Sequence, residues 1–205
     1  MPENSTLPKP KGTEIDENKA SMRARLKGIR AGVTPLNRER QEREIRRRFF
    51  RLPCYKEADA VLCYLSVDSE ADTRMLIKKM LYDGKKVYLP RCVPETNHLE
   101  FYAVTDLDGL RPGTFLVPEP EPKPEHRFMS AEHPVCVLPA LGFDLDGFRL
   151  GYGKGCYDRF LSGFSGITVG IGVHRCVVER LPRARHDKPC DIVVTEREVY
   201  YHKTG

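Results

Sequence analysis

Met22, Leu26, Ile29 and Val33 recur at helical spacing, with Lys19, Arg23, Lys27 and Arg30 on another face, which predicts an amphipathic helix over residues 17–31. Residues 1–15 ahead of it mix Pro, Lys, Ser and Thr without a period and are expected to be a disordered tail, leaving residues 16–205 as one domain. Thr34-Pro35 is an N-cap followed by proline at the first helical position. A second helix is expected from there to about Leu52, burying Ile45, Phe49 and Leu52, with Pro53 stopping it.

The pattern then changes period. Residues 58–66, ADAVLCYLS, are apolar on both sides and predict a central parallel strand. Asp72 can cap a helix whose Leu76, Ile77, Met80 and Leu81 face inward and which Gly84 ends, and residues 86–92 return as a strand, closing a βαβ unit. His98–Val104 suits a further strand away from the core, and residues 118–124, where Pro alternates with Glu and Lys, suit a stiff surface loop. Strands are expected over 135–141, over 167–173 with Gly170 and Gly172 set into it, and over 191–195, with 199–201 as an edge addition. Glycine weakens a strand unless something approaches it closely. The order αα, βαβ, insertion, βα, β, β predicts a Rossmann-like α/β layer fold with a mostly parallel sheet.

Composition narrows the class. The 205 residues, 40% hydrophobic and 31% charged, suit one globular domain with a sizeable core, and no apolar run is long enough for a membrane span. The first eighteen residues carry Glu3, Glu14, Asp16 and Glu17 and no arginine, unlike a secretory or mitochondrial leader, so a cytoplasmic location is expected. Seven cysteines without a CxxC are expected as reduced thiols, and six scattered histidines without zinc spacing argue against a transition metal. Between residues 19 and 51, twelve Lys or Arg face three Glu within a net charge of +5. That excess suits nucleic acid, an anionic small molecule, or a solvated face.

Candidate chemistry concentrates in residues 138–161, LPALGFDLDGFRLGYGKGCYDRFL. A buried strand ends, Asp146-Gly147 turns the chain, and Gly151, Gly153 and Gly155 alternate with Tyr152, Lys154 and Cys156 before Tyr157 and Asp158 open a helix. Glycines at this spacing permit positive φ and close approach of a ligand, successive N–H groups can converge on an anion, and the helix N-terminus and Lys154 add positive charge. The pattern is that of a phosphate-holding loop, although it fits neither GxxxxGK[ST] nor GxGxxG. Ligands of open α/β sheets bind at the carboxyl ends of strands, where residues 67–72 and 143–158 qualify. Taken alone, Glu70 is an ordinary exposed carboxylate, Lys19 and Arg23 a solvated stripe, and Asp158 a helix cap.

The whole string FDxxGxRLGYGKGxYDRxL resembles the signature of the 5-formyltetrahydrofolate cyclo-ligase family, and the resemblance runs more thinly over residues 19–196. It implies a three-layer α/β/α fold and an enzyme that uses ATP and Mg²⁺ to close 5-formyltetrahydrofolate into 5,10-methenyltetrahydrofolate. On this resemblance Lys19, Arg23, Arg149, Leu150, Gly151, Tyr152, Gly153, Lys154, Gly155, Cys156 and Tyr157 contact ATP. Leu65, Glu70 and the loop from Tyr152 through Cys156 contact folate. Arg149, Lys154 and Tyr157 act on the reacting groups, and Asp158 and Asp187 lie near Mg²⁺, with Asp191 competing for the second role. Arg46, Arg47 and Arg48 match nothing in the family and read as a solvated face.

Many members have Tyr-Tyr-Asp where this chain has Cys156-Tyr157-Asp158, and many carry a glutamine where it reads Gly172-Val173-His174-Arg175-Cys176. Both departures remove groups that can touch folate. A rival reading from another class is a fold relative that has lost catalysis and binds nucleotide or RNA through its basic helices. No RGG run, RNP-like aromatic motif or KH-type GxxG accompanies the charge, so nucleic acid is not the expected partner.

Overall fold

The computed structural model describes residues 12–67, 69–114 and 117–202. Helix α1 spans Gly12–Ala31, starting ahead of the expected residue 17; residues 1–11 of the expected tail lie outside the described residues. Helix α2 spans Pro35–Phe49, and Thr34 caps it by accepting the Asn37 N–H on its side-chain oxygen. It ends before Leu52, and Pro53 opens the short helix α3 (Pro53–Glu57) instead of stopping α2, since proline at a first helical position has no N–H to lose. Strand β1 (Ala60–Cys63), helix α4 (Arg74–Tyr82) and strand β2 (Lys86–Val93) form the βαβ unit. Asp72 accepts the Arg74 N–H at 2.9 Å, and Gly84 leaves α4 with φ +76°.

The antiparallel strand β3 (His98–Val104) follows, and then a two-stranded ribbon, β4 (Arg111–Pro112) with β5 (Pro118–Glu119), where a loop was expected. Strand β6 (Pro134–Leu138) leads into the hairpin of β7 (Gly142–Asp144) and β8 (Arg149–Leu150), helix α5 (Cys156–Leu161) and strand β9 (Ile167–Ile171). Strands β10 (Val177–Val178), β11 (Ile192–Val194) and β12 (Val199–Tyr201) complete the chain.

The central sheet has the order β12-β11-β9-β6-β1-β2-β3. Its inner strands are parallel and the two edge strands antiparallel, so the expected mostly parallel α/β sheet is present. Successive residues of the inner strands bury opposite faces. Val61, Cys63, Val135 and Val137 pack with α2, α3 and α4, whereas Leu62, Cys136 and Leu138 pack with α5 and Phe143. That is a helix–sheet–helix sandwich, and burial on both faces explains why β1 and β6 read as unbroken apolar runs.

Gly170 in β9 and Gly172 just past its end, which comes two residues short of the expected strand end, have a specific reason. A Cβ at Gly170 would run into the Phe143 ring, and one at Gly172 would stand 3.0 Å from it, so the ring folds down onto bare backbone. Gly170→Ala is therefore expected to lower stability by about 1–3 kcal/mol, the usual cost of overpacking, read as a lower denaturant midpoint. An unchanged midpoint would mean that Phe143 moves aside freely.

Candidate active site

β1 and β6 are neighbours in the sheet although some seventy residues of chain separate them, with Cys63 facing Val137 across the ladder. From β1 the chain winds outward to β2, and from β6 it winds the other way to β9 and β11. The loops leaving β1 and β6 therefore diverge, and open α/β sheets hold their ligands at such a reversal.

Arg30 ties these loops together. Its Nε donates to Ser69 O at 2.8 Å and its Nη1 to Ala140 O at 3.0 Å, and the residue is only 6% exposed. The loop after β1 is further set by reciprocal bonds between Ser66 and Thr73, at 2.8 and 3.1 Å. Glu70 is 8% exposed and accepts the Val67 N–H at 3.0 Å on Oε2, so the reading of it as an ordinary exposed carboxylate does not hold. Leu65 is buried in the core beneath this loop.

The glycine-spaced loop is launched by the β7–β8 hairpin. Buried Asp144 accepts the Asp146 and Phe148 N–H groups on Oδ1, and the Leu181 N–H and the Arg183 guanidinium on Oδ2. Gly147 turns with φ +84° and its carbonyl accepts the Cys190 N–H at 2.8 Å, which draws the 181–190 segment against the loop. Of the three loop glycines only Gly153 (φ +100°) and Gly155 (φ +67°) take positive φ; Gly151 does not. Gly153 is required twice, because a Cβ there would stand 3.0 Å from Arg23 Nη2. Arg23 Nε donates to Gly151 O at 2.9 Å. Lys154 is exposed at the loop crest, and Tyr152 lies beneath Lys27, whose Nζ is 5.4 Å from the ring centroid. Helix α5 is six residues long, so the loop's positive potential comes from these side chains and not from a long helix dipole.

The expected cations and carboxylates pair with each other. Lys19 Nζ donates to Asp187 Oδ2 at 2.6 Å with both side chains nearly buried, and Arg149 Nη2 donates to Asp158 Oδ1 at 3.0 Å while its Nη1 reaches Lys188 O. Lys19, at 9% exposure, is thus no solvated stripe residue. Asp191 has a different place: its Oδ2 accepts the Thr168 N–H and hydroxyl, joining the starts of β9 and β11 at the sheet end opposite the loops. Arg48 also departs from a solvated face, since its Nε reaches Glu196 O at 3.3 Å.

Asp158 and Asp187 supply the hard oxygen donors that Mg²⁺ takes. Among the described residues no group of three His, Cys, Asp or Glu could hold a metal unaided, so a cation here must draw its remaining ligands from phosphate and water. Tyr157 packs against the cores on both faces of the sheet. Burial pushes its hydroxyl well above the ordinary phenol range, the neighbouring Cys136 and Glu70 add to the shift, and Arg149 opposes it. The hydroxyl is therefore a neutral donor within electrostatic reach of both Glu70 and Arg149.

Sequence reasoning missed Arg30, Asp144 with Arg183, and Arg159, whose Nη2 donates to Lys154 O in the glycine loop and to Asn97 O. Arg30 carried a signal: Lys19, Arg23, Leu26 and Arg30 follow one another at steps of four, three and four residues, and Lys19, Leu26 and Arg30 form the buried face of α1. Assigning that face to apolar residues alone put its cations on the wrong side.

The model of the 5-formyltetrahydrofolate cyclo-ligase family matches residues 15–196. A 5-formyltetrahydrofolate cyclo-ligase of Haemophilus influenzae is 31% identical over 183 residues, covering 87% of this chain and 98% of the relative. The Escherichia coli K12 protein of the same name is 31% identical over 175 residues, covering 83% and 96%. The solution structure of Aquifex aeolicus 5,10-methenyltetrahydrofolate synthetase superposes with a TM-score of 0.79 at 32% identity, over 91% of this chain and 94% of the other. With site and fold both in place, the match over nearly the full length means that the chain belongs to the 5-formyltetrahydrofolate cyclo-ligase family.

Proposed function

We propose that the protein converts 5-formyltetrahydrofolate to 5,10-methenyltetrahydrofolate, with ATP as phosphoryl donor and Mg²⁺ as its counterion, releasing ADP and phosphate. The observation that carries the reading is the crevice at the β1/β6 reversal, where Arg30 ties the loop that bears the buried carboxylate Glu70 to the segment leaving β6, and Arg23 on the same helix holds the glycine loop at Gly151 O. In the reaction the formyl oxygen takes the γ-phosphoryl group, and N10 then attacks the activated carbon and expels phosphate.

The chain's own part is positional and electrostatic. The N–H groups around Gly153 and Gly155 and the side chains of Arg23, Arg149 and Lys154 hold the phosphates in line and offset charge on the transferring group. Glu70 orients the folate by accepting paired hydrogen bonds from the pterin edge. Tyr157, neutral at physiological pH, donates a hydrogen bond beside the reacting formyl group. Asp158 and Asp187 would hold Mg²⁺ by exchanging their present partners, Arg149 and Lys19, for the metal. The bound ion would supply charge neutralisation on the phosphates.

Mixing the protein with 5-formyltetrahydrofolate, ATP and Mg²⁺ should raise the near-ultraviolet absorbance of the methenyl product, and no rise with any one component omitted. ATP-independent turnover, or none at all, would reject the reading. In the same assay Glu70→Gln is expected to raise the folate KM at a cost of about 1.5–3 kcal/mol in binding, with the ATP KM nearly unchanged. Equal damage to both substrates would assign Glu70 to loop folding and not to folate.

A further inference from the structure

The carboxylates beside the glycine loop are taken by other cations, Asp158 by Arg149 and Asp187 by Lys19, and Arg159 of α5 turns to backbone instead. Its Nη2 donates to Lys154 O at 2.6 Å and to Asn97 O at 3.4 Å, while its Nε is buried with no hydrogen-bond partner among the described residues. A buried donor without a partner costs stability, so folding alone does not account for this placement.

Both ends of the side chain are fixed. The next residue, Phe160, sets its ring 4.7 Å from that of Phe101 in β3 and 5.3 Å from that of Phe164, which seats α5 on the sheet. At the tip, the turn between β2 and β3 presents Asn97 O: the Thr96 and Asn97 N–H groups both donate to Val93 O, and Asn97 takes a left-handed φ of 53°. The guanidinium also passes close to Gly155, where a Cβ would stand 3.2 Å from Nη1.

In a trans peptide the carbonyl of one residue and the N–H of the next point in opposite directions. The bond between Lys154 and Gly155 is trans and its carbonyl is drawn to Arg159, so the Gly155 N–H is aimed the other way. At the start of the loop Arg23 holds Gly151 O in a similar manner. We infer that Arg159 is a positioning residue for the phosphate loop: by gripping Lys154 O from behind, it aims the Gly155 N–H at the anion the loop receives. The inference rests on the reading of residues 151–155 as the loop that holds the ATP phosphates, and it adds a residue that acts on ATP only through that backbone.

Arg159 also lines a cleft of about 410 Å³ between β3, α5 and residues 127–131. Alanine at 159 therefore leaves a space that free guanidinium ion can enter from the cleft. ATP binding is measured by calorimetry with Mg²⁺ and without folate, and turnover, folate KM and the urea midpoint are measured beside it. Each binding and turnover measurement is repeated with guanidinium chloride at a non-denaturing concentration.

Arg159→Ala is expected to weaken ATP binding by about tenfold or more, as for a lost charge-assisted contact. Its turnover should fall by about a hundredfold, the effect of a misplacement of about 1 Å, with the folate KM within a few-fold of wild type. Guanidinium ion should restore much of the ATP affinity of the variant and leave wild type unmoved. Should the alanine variant not fold, Arg159→Gln carries the same comparison, since its amide is uncharged and too short to reach both carbonyls. ATP affinity and turnover within a few-fold of wild type would overturn the inference. So would an equal loss of ATP and folate affinity that guanidinium ion does not restore, which would make Arg159 a strut of α5. Calorimetry does not depend on turnover: ATP binding that falls in Arg159→Ala and returns with guanidinium ion, in a protein that never converts 5-formyltetrahydrofolate, would support the positioning role and reject the proposed activity.

Discussion

Replacing Lys154 by alanine is expected to lower turnover by about two to four orders of magnitude while folate affinity stays within a few-fold, the signature of a charge that acts on the transition state. The loop's shape has supports other than this side chain. Gly153 and Gly155 set the backbone through positive φ, Arg23 holds Gly151 O, and Arg159 Nη2 holds Lys154 O at 2.6 Å. Alanine at 154 keeps all of these and removes the ammonium group at the crest. Single-turnover measurements at saturating ATP isolate the chemical step, and turnover within a few-fold of wild type would reject the phosphate-cradle assignment. Lys154→Arg should recover part of the loss, because the charge returns with a different reach.

Arg30→Met carries the second large effect. Methionine fills much of the same volume, but the Ser69 and Ala140 carbonyls lose their donors in a site that water barely reaches. Each buried acceptor left unpaired costs about 1–3 kcal/mol, so the two together are expected to cost about 2–6 kcal/mol of stability, read as a lower denaturant midpoint. Because those carbonyls belong to the loops leaving β1 and β6, the folate KM should also rise by about tenfold or more, as a loosened site no longer prepays the positioning of its substrate. Arg30→Lys should rescue stability better than KM, since one ammonium group does not span both carbonyls as the guanidinium fork does. A destabilised Arg30→Met whose remaining folded protein binds folate normally would make Arg30 a core strut with no part in positioning.

Much of the architecture was legible in the pattern of apolar positions. β3 falls on His98–Val104 as expected, the long apolar runs became central parallel strands, and Gly170 and Gly172 mark the close approach of Phe143. Boundaries were less legible. α2 stops at Phe49 and Pro53 begins α3, because the same proline that cannot continue one helix is well suited to start another. The ribbon of β4 and β5 left no signal, since its short, proline-bearing strands have no period to read.

By itself, then, the sequence determined the succession of elements, the burial of the inner strands on both faces, and the residues of the glycine-spaced loop. These rest on local periodicity and on backbone permissions that neighbouring residues encode. Only the tertiary structure decided that Lys19 pairs with Asp187 across 168 positions, that Arg30 turns inward to join the loops of β1 and β6, and that Arg149 meets Asp158. The physical reason is that each of these partners is chosen by how the strands and helices pack. A charged side chain looks the same in sequence whether it faces water or a partner brought to it by the fold.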